Sequence, residues 1–218
     1  MRVVIAGGHG KIARILERQL ATRGDEVVGL IRNPDHSADL TDVSAEPVVF
    51  DLERQSAAEL APILRGADAV VFAAGAGPGS GAARKDTVDR AAAALLADAA
   101  EMAGVRRYVM VSAMGAATGS APGHEEVFAA YLDAKKAADE DLMARDLDWT
   151  IIRPGGLTDE PGTGTVTMAR ETGHGPVPRE DVARVICAAL DDPATIGLVA
   201  EVITGPTRVA VALAELTD

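Results

Sequence analysis

Aromatic residues make up only 3% of the 218 positions. The core therefore cannot rest on ring packing, and valine, isoleucine, leucine and alanine must build it within a 48% apolar content. The single cysteine, Cys187, excludes an intramolecular disulfide. With no Cys or His at ligand spacing, it reads as core packing in a reducing compartment. Four histidines without paired spacing make no metal site. Basic residues run no further than pairs such as Arg106-Arg107 and Lys135-Lys136, and the net charge is −12. A nucleic-acid backbone would be repelled. No apolar run approaches a membrane span, and Met1-Arg2 leads into a short strand rather than a signal-peptide stretch, so the expectation is a soluble cytoplasmic chain without a membrane partner.

What is present alternates. Arg2–Ala6 is a β-branched run closed by glycines, and a helix follows over about Gly10 to Thr22. Glu26–Ile31 is a second strand, stopped by Pro34. Pro47–Phe50, Ala69–Phe72, Arg107–Ala113 and Asp148–Pro154 are further strands, separated by helices near Ala57–Leu64, Ala83–Ala103 and Glu125–Arg145. Residues 155–178 are rich in Gly, Pro and Thr, with one strand-like piece at Thr165–Ala169, and read as an irregular excursion on the substrate side. A helix near Arg179–Leu190, a strand at Ala200–Thr204 and a helix at Val209–Leu216 close the chain. Such alternation, with continuously apolar strands, predicts a single α/β domain: a Rossmann-type doubly wound parallel sheet, free to act as monomer or homodimer.

"AGGHGKIA" at Ala6–Ala13 sets Gly7, Gly10 and Ala13 in a G-x-x-G-x-x-A pattern at the first strand-to-helix junction. Small residues let the backbone approach a pyrophosphate, and the amides of Lys11 and Ile12 at the helix start meet its charge. His9 is an imidazole within the turn. The second strand ends Leu30-Ile31-Arg32, where an NAD site usually has a carboxylate. Arg32 suits a 2′-phosphate, so NADP(H) is expected over NAD(H), although Asp35 stands nearby. Asp51 and Leu52 end the next strand, with Asp51 able to accept from an adenine amino group. Ala73, Ala74 and Gly75 leave room for ribose and phosphate after the fourth strand. Pro154, Gly155, Gly156 and Leu157 are expected at the nicotinamide end of the crevice.

Tyr131 and Lys135 stand at i and i+4 of one predicted helix, so phenol and ammonium can converge. A free phenol titrates near pH 10, and a neighbouring ammonium favours its phenolate. The glycine turn, strand-end Ser112 and Tyr131-x-x-x-Lys135 resemble the short-chain dehydrogenase/reductase superfamily. More narrowly, "VSAMGA", "AYLDAKKAADEDL" and "LDWTIIRPGGLTDEPGTG" resemble its atypical NAD(P)-binding, NAD-dependent epimerase/dehydratase-like members. The resemblance implies catalytic roles for Tyr131 as general acid or base, Lys135 as the group that lowers its pKa and holds the nicotinamide ribose, and Ser112 as the residue that orients a carbonyl. The one asparagine, Asn33, lies at the second strand, so the proton-relay asparagine of many catalytic members has no counterpart near the site. Three readings stay open: an NADP(H)-dependent reductase of a small carbonyl, quinone or similar acceptor, a non-enzymatic NADPH sensor acting through a protein partner, and an NAD-dependent epimerase or dehydratase.

Overall fold

The computed structural model describes residues 1–77 and 79–217. The chain opens with β1 (Arg2–Ala6), α1 (Lys11–Thr22), β2 (Glu26–Ile31), a short α2 (Ser37–Thr41), β3 (Glu46–Val49), α3 (Ala57–Leu64) and β4 (Ala69–Phe72). There follow one helical turn, α4 (Ala82–Arg84), a π-helical segment at Lys85–Ala91, then α5 (Ala92–Ala103), β5 (Arg107–Val111), α6 (Glu126–Met143) and β6 (Asp148–Pro154). The chain ends with β7 (Gly156–Thr158), β8 (Thr165–Ala169), β9 (Pro176–Pro178), α7 (Arg179–Asp191), β10 (Leu198–Thr204), β11 (Thr207–Arg208) and α8 (Val209–Thr217).

The main sheet runs β11-β8-β10-β6-β5-β4-β1-β2-β3. From β3 to β6 every pairing is parallel, and so is β10 on β6. The edge formed by β8 and β11 is antiparallel. Alternate residues of β1 serve opposite layers, as the period of two requires. Val3 and Ile5 pack with Leu16 and Leu20 of α1 and with α7, while Val4 and Ala6 pack with α3, α5 and the end of α6. This is the doubly wound architecture that the apolar strands predict, and its order reverses between β1 and β4, where such sheets open a crevice at their carboxyl edge.

Two expectations need correction. The alanine-rich stretch is helical throughout, as expected, but not α-helical throughout: the π segment widens the backbone ahead of α5 and turns Lys85, Val88 and Asp89 inward. The excursion is also more ordered than its composition suggests, because β7 and β9 form a small parallel pair and β8 joins the main sheet. Threonine and valine in β8 supply the β-propensity. The glycines serve close approach: a Cβ on Gly155 would lie 2.1 Å from the Gly175 carbonyl oxygen.

Candidate functional site

The glycine turn is built by contact with the loop after β4. Gly7 has φ of +82°, and a Cβ there would sit 2.6 Å from the Cα of Ala74. A side chain at Gly7 would push the two loops apart. Gly10 donates to the Gly7 carbonyl at 2.8 Å and forms the N-cap of α1, with no side chain capping it. The first helical bond runs from the Arg14 amide to the Gly10 carbonyl at 2.9 Å. The preceding amides of Lys11, Ile12 and Ala13 are left for an outside acceptor. These donors, on a backbone stripped of side chains, fit a pyrophosphate.

Two cavities meet at this turn, sharing Gly10, Ala73, Ala74 and Gly75. The first, of about 330 Å³, is also lined by Gly7, His9, Arg32, Asp51 and Leu52. Arg32 is not alone there. Its Nη1 lies 2.9 Å from Glu53 Oε2, the same oxygen that accepts from Arg84 Nη2 at 2.9 Å, while Thr87 donates to Glu53 Oε1 at 2.8 Å. The Arg84 hydrogen bond holds the Glu53 carboxyl below the usual carboxylate range. Two guanidiniums therefore share the Glu53 carboxylate, with Asp51 as a second acid in the same lining. His9 is engaged as well: its Nε2 lies 2.7 Å from Asp39 Oδ2 and its ring stacks on His36 at 3.6 Å. Asp51 Oδ1 accepts from the Glu53 amide at 3.0 Å, fixing the loop after β3.

The second cavity, of about 620 Å³, brings together Lys11, Ile12, Ser112, Tyr131, Lys135 and Leu157. Lys135 is buried, donates to the Val111 carbonyl at 3.1 Å and lies 3.3 Å from Asp89 Oδ1. Its ammonium is 5.9 Å from the Tyr131 ring centroid, so the helical i, i+4 spacing does bring the pair to one point. Among the described residues the Tyr131 hydroxyl has no hydrogen-bond partner, which leaves it for a molecule in the cavity. Burial raises the Tyr131 pKa above its ordinary value, and the opposing pull of Lys135 does not overcome it. The phenol is therefore protonated at neutral pH.

Ser112 stands otherwise than the resemblance implies. Its Oγ donates to Asp139 Oδ2 at 2.8 Å, and Arg153 Nε donates to that same oxygen at 2.9 Å. A serine has one proton to give, and here it goes to a buried carboxylate. Pro154, Gly155 and Gly156 line neither cavity. Their backbone ties β5, β10 and the β7–β9 pair together through Met114 to Pro154, Gly155 to Val202 and Gly156 to Gly175, each at 2.9 Å. Leu157 alone of that stretch reaches the site. Across the cavity mouth Asp159 accepts from Lys11 at 2.5 Å and from Arg179 at 2.6 Å.

Sequence reasoning passed over Glu53, Arg84, Lys85 and Asp89. Lys85, Val88, Asp89, Ala92 and Ala93 recur at i, i+3, i+4, i+7 and i+8, the spacing of a buried helix face. Two charges on such a face were the available signal. Among the described residues, no cluster of His, Cys, Asp and Glu could hold a metal, and no helix is long and apolar enough to cross a membrane.

Comparison with known proteins agrees with this geometry. A family described as NAD(P)H-binding matches residues 7–193. The Bacillus subtilis protein named uncharacterized sugar epimerase YhfK is 37% identical over 217 residues, covering 99% of this chain and 100% of the relative. A Bacillus halodurans structure described as an NAD-dependent epimerase/dehydratase superimposes with a TM-score of 0.91 at 36% identity, over 99% of this chain and 100% of that one. The oxidoreductase YlbE of Lactococcus lactis gives a TM-score of 0.87 at 28% identity, over 99% and 96%.

Proposed function

Since the chain belongs to the NAD(P)H-binding family, we propose that it is an NADP(H)-dependent reductase of a small carbonyl, quinone or similar acceptor. The observation that carries this reading is the unpartnered Tyr131 hydroxyl beside buried Lys135, in a cavity continuous with the glycine turn. The first-turn amides of α1 would hold the pyrophosphate, Arg32 and Arg84 a 2′-phosphate, and Lys135 the nicotinamide ribose. The nicotinamide, when bound, supplies the hydride. Tyr131 delivers the proton to the acceptor oxygen. The phenol is protonated at neutrality and has that proton to give, although burial, by raising its pKa, makes it a weaker acid than a free phenol. Asp89, from the π segment, fixes the Lys135 ammonium. With Ser112 donating to Asp139 and Ser80 to Gly77, Tyr131 is the hydroxyl of the lining left for that oxygen.

The test is NADPH oxidation against a panel of quinones, flavins, aldehydes and ketones. Tyr131→Phe should keep the fold and NADPH while turnover drops about a hundredfold to ten-thousandfold, the usual contribution of a general acid. Undiminished hydride transfer in that variant would remove Tyr131 from the mechanism. Cofactor binding without turnover of any acceptor would favour a sensor. A sugar epimerase is the second reading, supported by the name of the Bacillus subtilis relative. As the NAD-dependent alternative, it predicts interconversion of a sugar nucleotide with bound NAD+ reduced and reoxidised within each cycle and no net change in the cofactor.

A further inference from the structure

Among the described residues, the cations around the second cavity pair off with one exception, and Glu125 is the acid of the lining left without an ion pair. Lys11 and Arg179 share Asp159, and Lys135 faces Asp89. Behind them, Arg153 is held by Asp139. Lys85 is left. It is only 8% exposed, it donates to the Gly77 carbonyl at 3.0 Å, and its Nζ lies 5.2 Å from the Tyr131 ring centroid. Among the described residues no carboxylate comes within ion-pair distance of it. A buried ammonium with one neutral acceptor and one ring face is poorly compensated. Such a group in the wall of a cavity is a site for an anion that arrives with a ligand.

We infer that Lys85 anchors a carboxylate on the acceptor, so that the second cavity takes an apolar-bodied acid. The inference rests on reading that cavity as the acceptor site. Phe128 and Leu157, 46% and 39% exposed, are large apolar side chains in its lining, and Val127 and Ile12 extend the same surface. An apolar body lies against them, its carboxylate on Lys85. Both lysines flank the Tyr131 ring, at 5.2 Å and 5.9 Å. A carboxylate on Lys85 thereby brings the rest of the molecule to the phenol. Glu125, also in the lining, disfavours the reversed orientation by repulsion.

Naphthalene-2-carboxylate and naphthalene-2-carboxamide have nearly the same shape and differ in charge. Calorimetry with the NADPH-loaded protein should show the carboxylate binding at least about tenfold more tightly, the scale of one charge-assisted contact. Lys85→Met should erase that preference with NADPH affinity unchanged, and Lys85→Arg should retain it. Equal binding of the two probes by the unaltered protein, binding of neither, or a preference that survives Lys85→Met would overturn the inference. So would a parallel loss of NADPH affinity, which would give Lys85 to the cofactor. Titration with NADPH alone comes first: its failure would refute the cofactor reading, and the probe comparison on the cofactor-free chain would still decide Lys85.

Discussion

Glu17 sits on the buried face of α1, fully inaccessible, with neither carboxyl oxygen hydrogen-bonded among the described residues. Oε1 is pressed against the strand behind it, 2.6 Å from where a Cβ on Gly29 would be. Burial pushes its pKa from 4.5 up to about 8, against a smaller opposing effect of Arg14. The folded chain therefore keeps a proton that the unfolded chain releases above pH 4.5. Each unit of pH across that window costs the fold about 1.4 kcal/mol, so stability is lost as pH rises and the loss levels off near pH 8. Methionine has similar length and nothing to ionise. The stability of Glu17→Met relative to the unaltered protein should climb by about 4 kcal/mol between pH 5 and 8, or about 8 to 16 °C in Tm for a chain of this size. Urea unfolding at pH 5, 6, 7, 8 and 9 measures it. A difference that stays constant with pH would mean that the carboxyl titrates alike in both states, and would refute the reasoning whatever the sign of the offset.

Arg32→Ala should weaken NADPH by roughly one to two orders of magnitude and leave NADH nearly unchanged, by titration calorimetry; equal losses would sink its assignment to a 2′-phosphate. Glu53→Gln removes the carboxylate that Arg32 and Arg84 share, so NADPH should bind several-fold more tightly relative to NADH, and a shift toward NADH would assign Glu53 to the ribose hydroxyl. Gly10→Val should abolish binding of both cofactors, because the φ of −66° accepts a branched residue but its Cβ would press the Gly7 carbonyl oxygen at 3.0 Å and crowd the turn that meets the pyrophosphate. Retained affinity, with an unchanged circular dichroism spectrum, would place the dinucleotide elsewhere.

The sheet was legible because each of its signals is local. Val-Val-Ile between Arg2 and Ala6 in β1 and Val-Val-Phe after Ala69 in β4 are fully buried runs, and both were read with the bounds the structure has. The glycine turn was legible for the same reason, since its position between a strand and a helix decides its geometry. Glu17 was not. In the sequence it falls between Leu16 and Leu20, where a charge can as easily point to solvent, and only the packing of α1 over Gly29 removes that freedom. β7 and β9 escaped because each is three residues long and each is stabilised by the other, a pairing that no short window contains.

The site divides along the same line. Tyr131 and Lys135 belong to one helix, so their convergence is a property of helical spacing and could be read directly. Asp139 follows on the next turn of the same helix, while the other neighbours come from elsewhere: Asp89 and Lys85 from the π segment, and Arg153 from β6. These groups reset the chemistry that the pair alone suggests. Considered by itself, Lys135 should pull the phenol toward ionisation. In the fold, Asp89 and Asp139 oppose that pull and burial outweighs it, so the tyrosine is held protonated. The two-residue motif thus places the phenol beside the ammonium, while the protonation of the phenol also depends on Asp89, which reaches the pair only from the π segment. The π segment is the hinge of that argument, because Val88 faces the first cavity while Lys85 and Asp89 face the second. One irregular turn of helix forms a wall common to both.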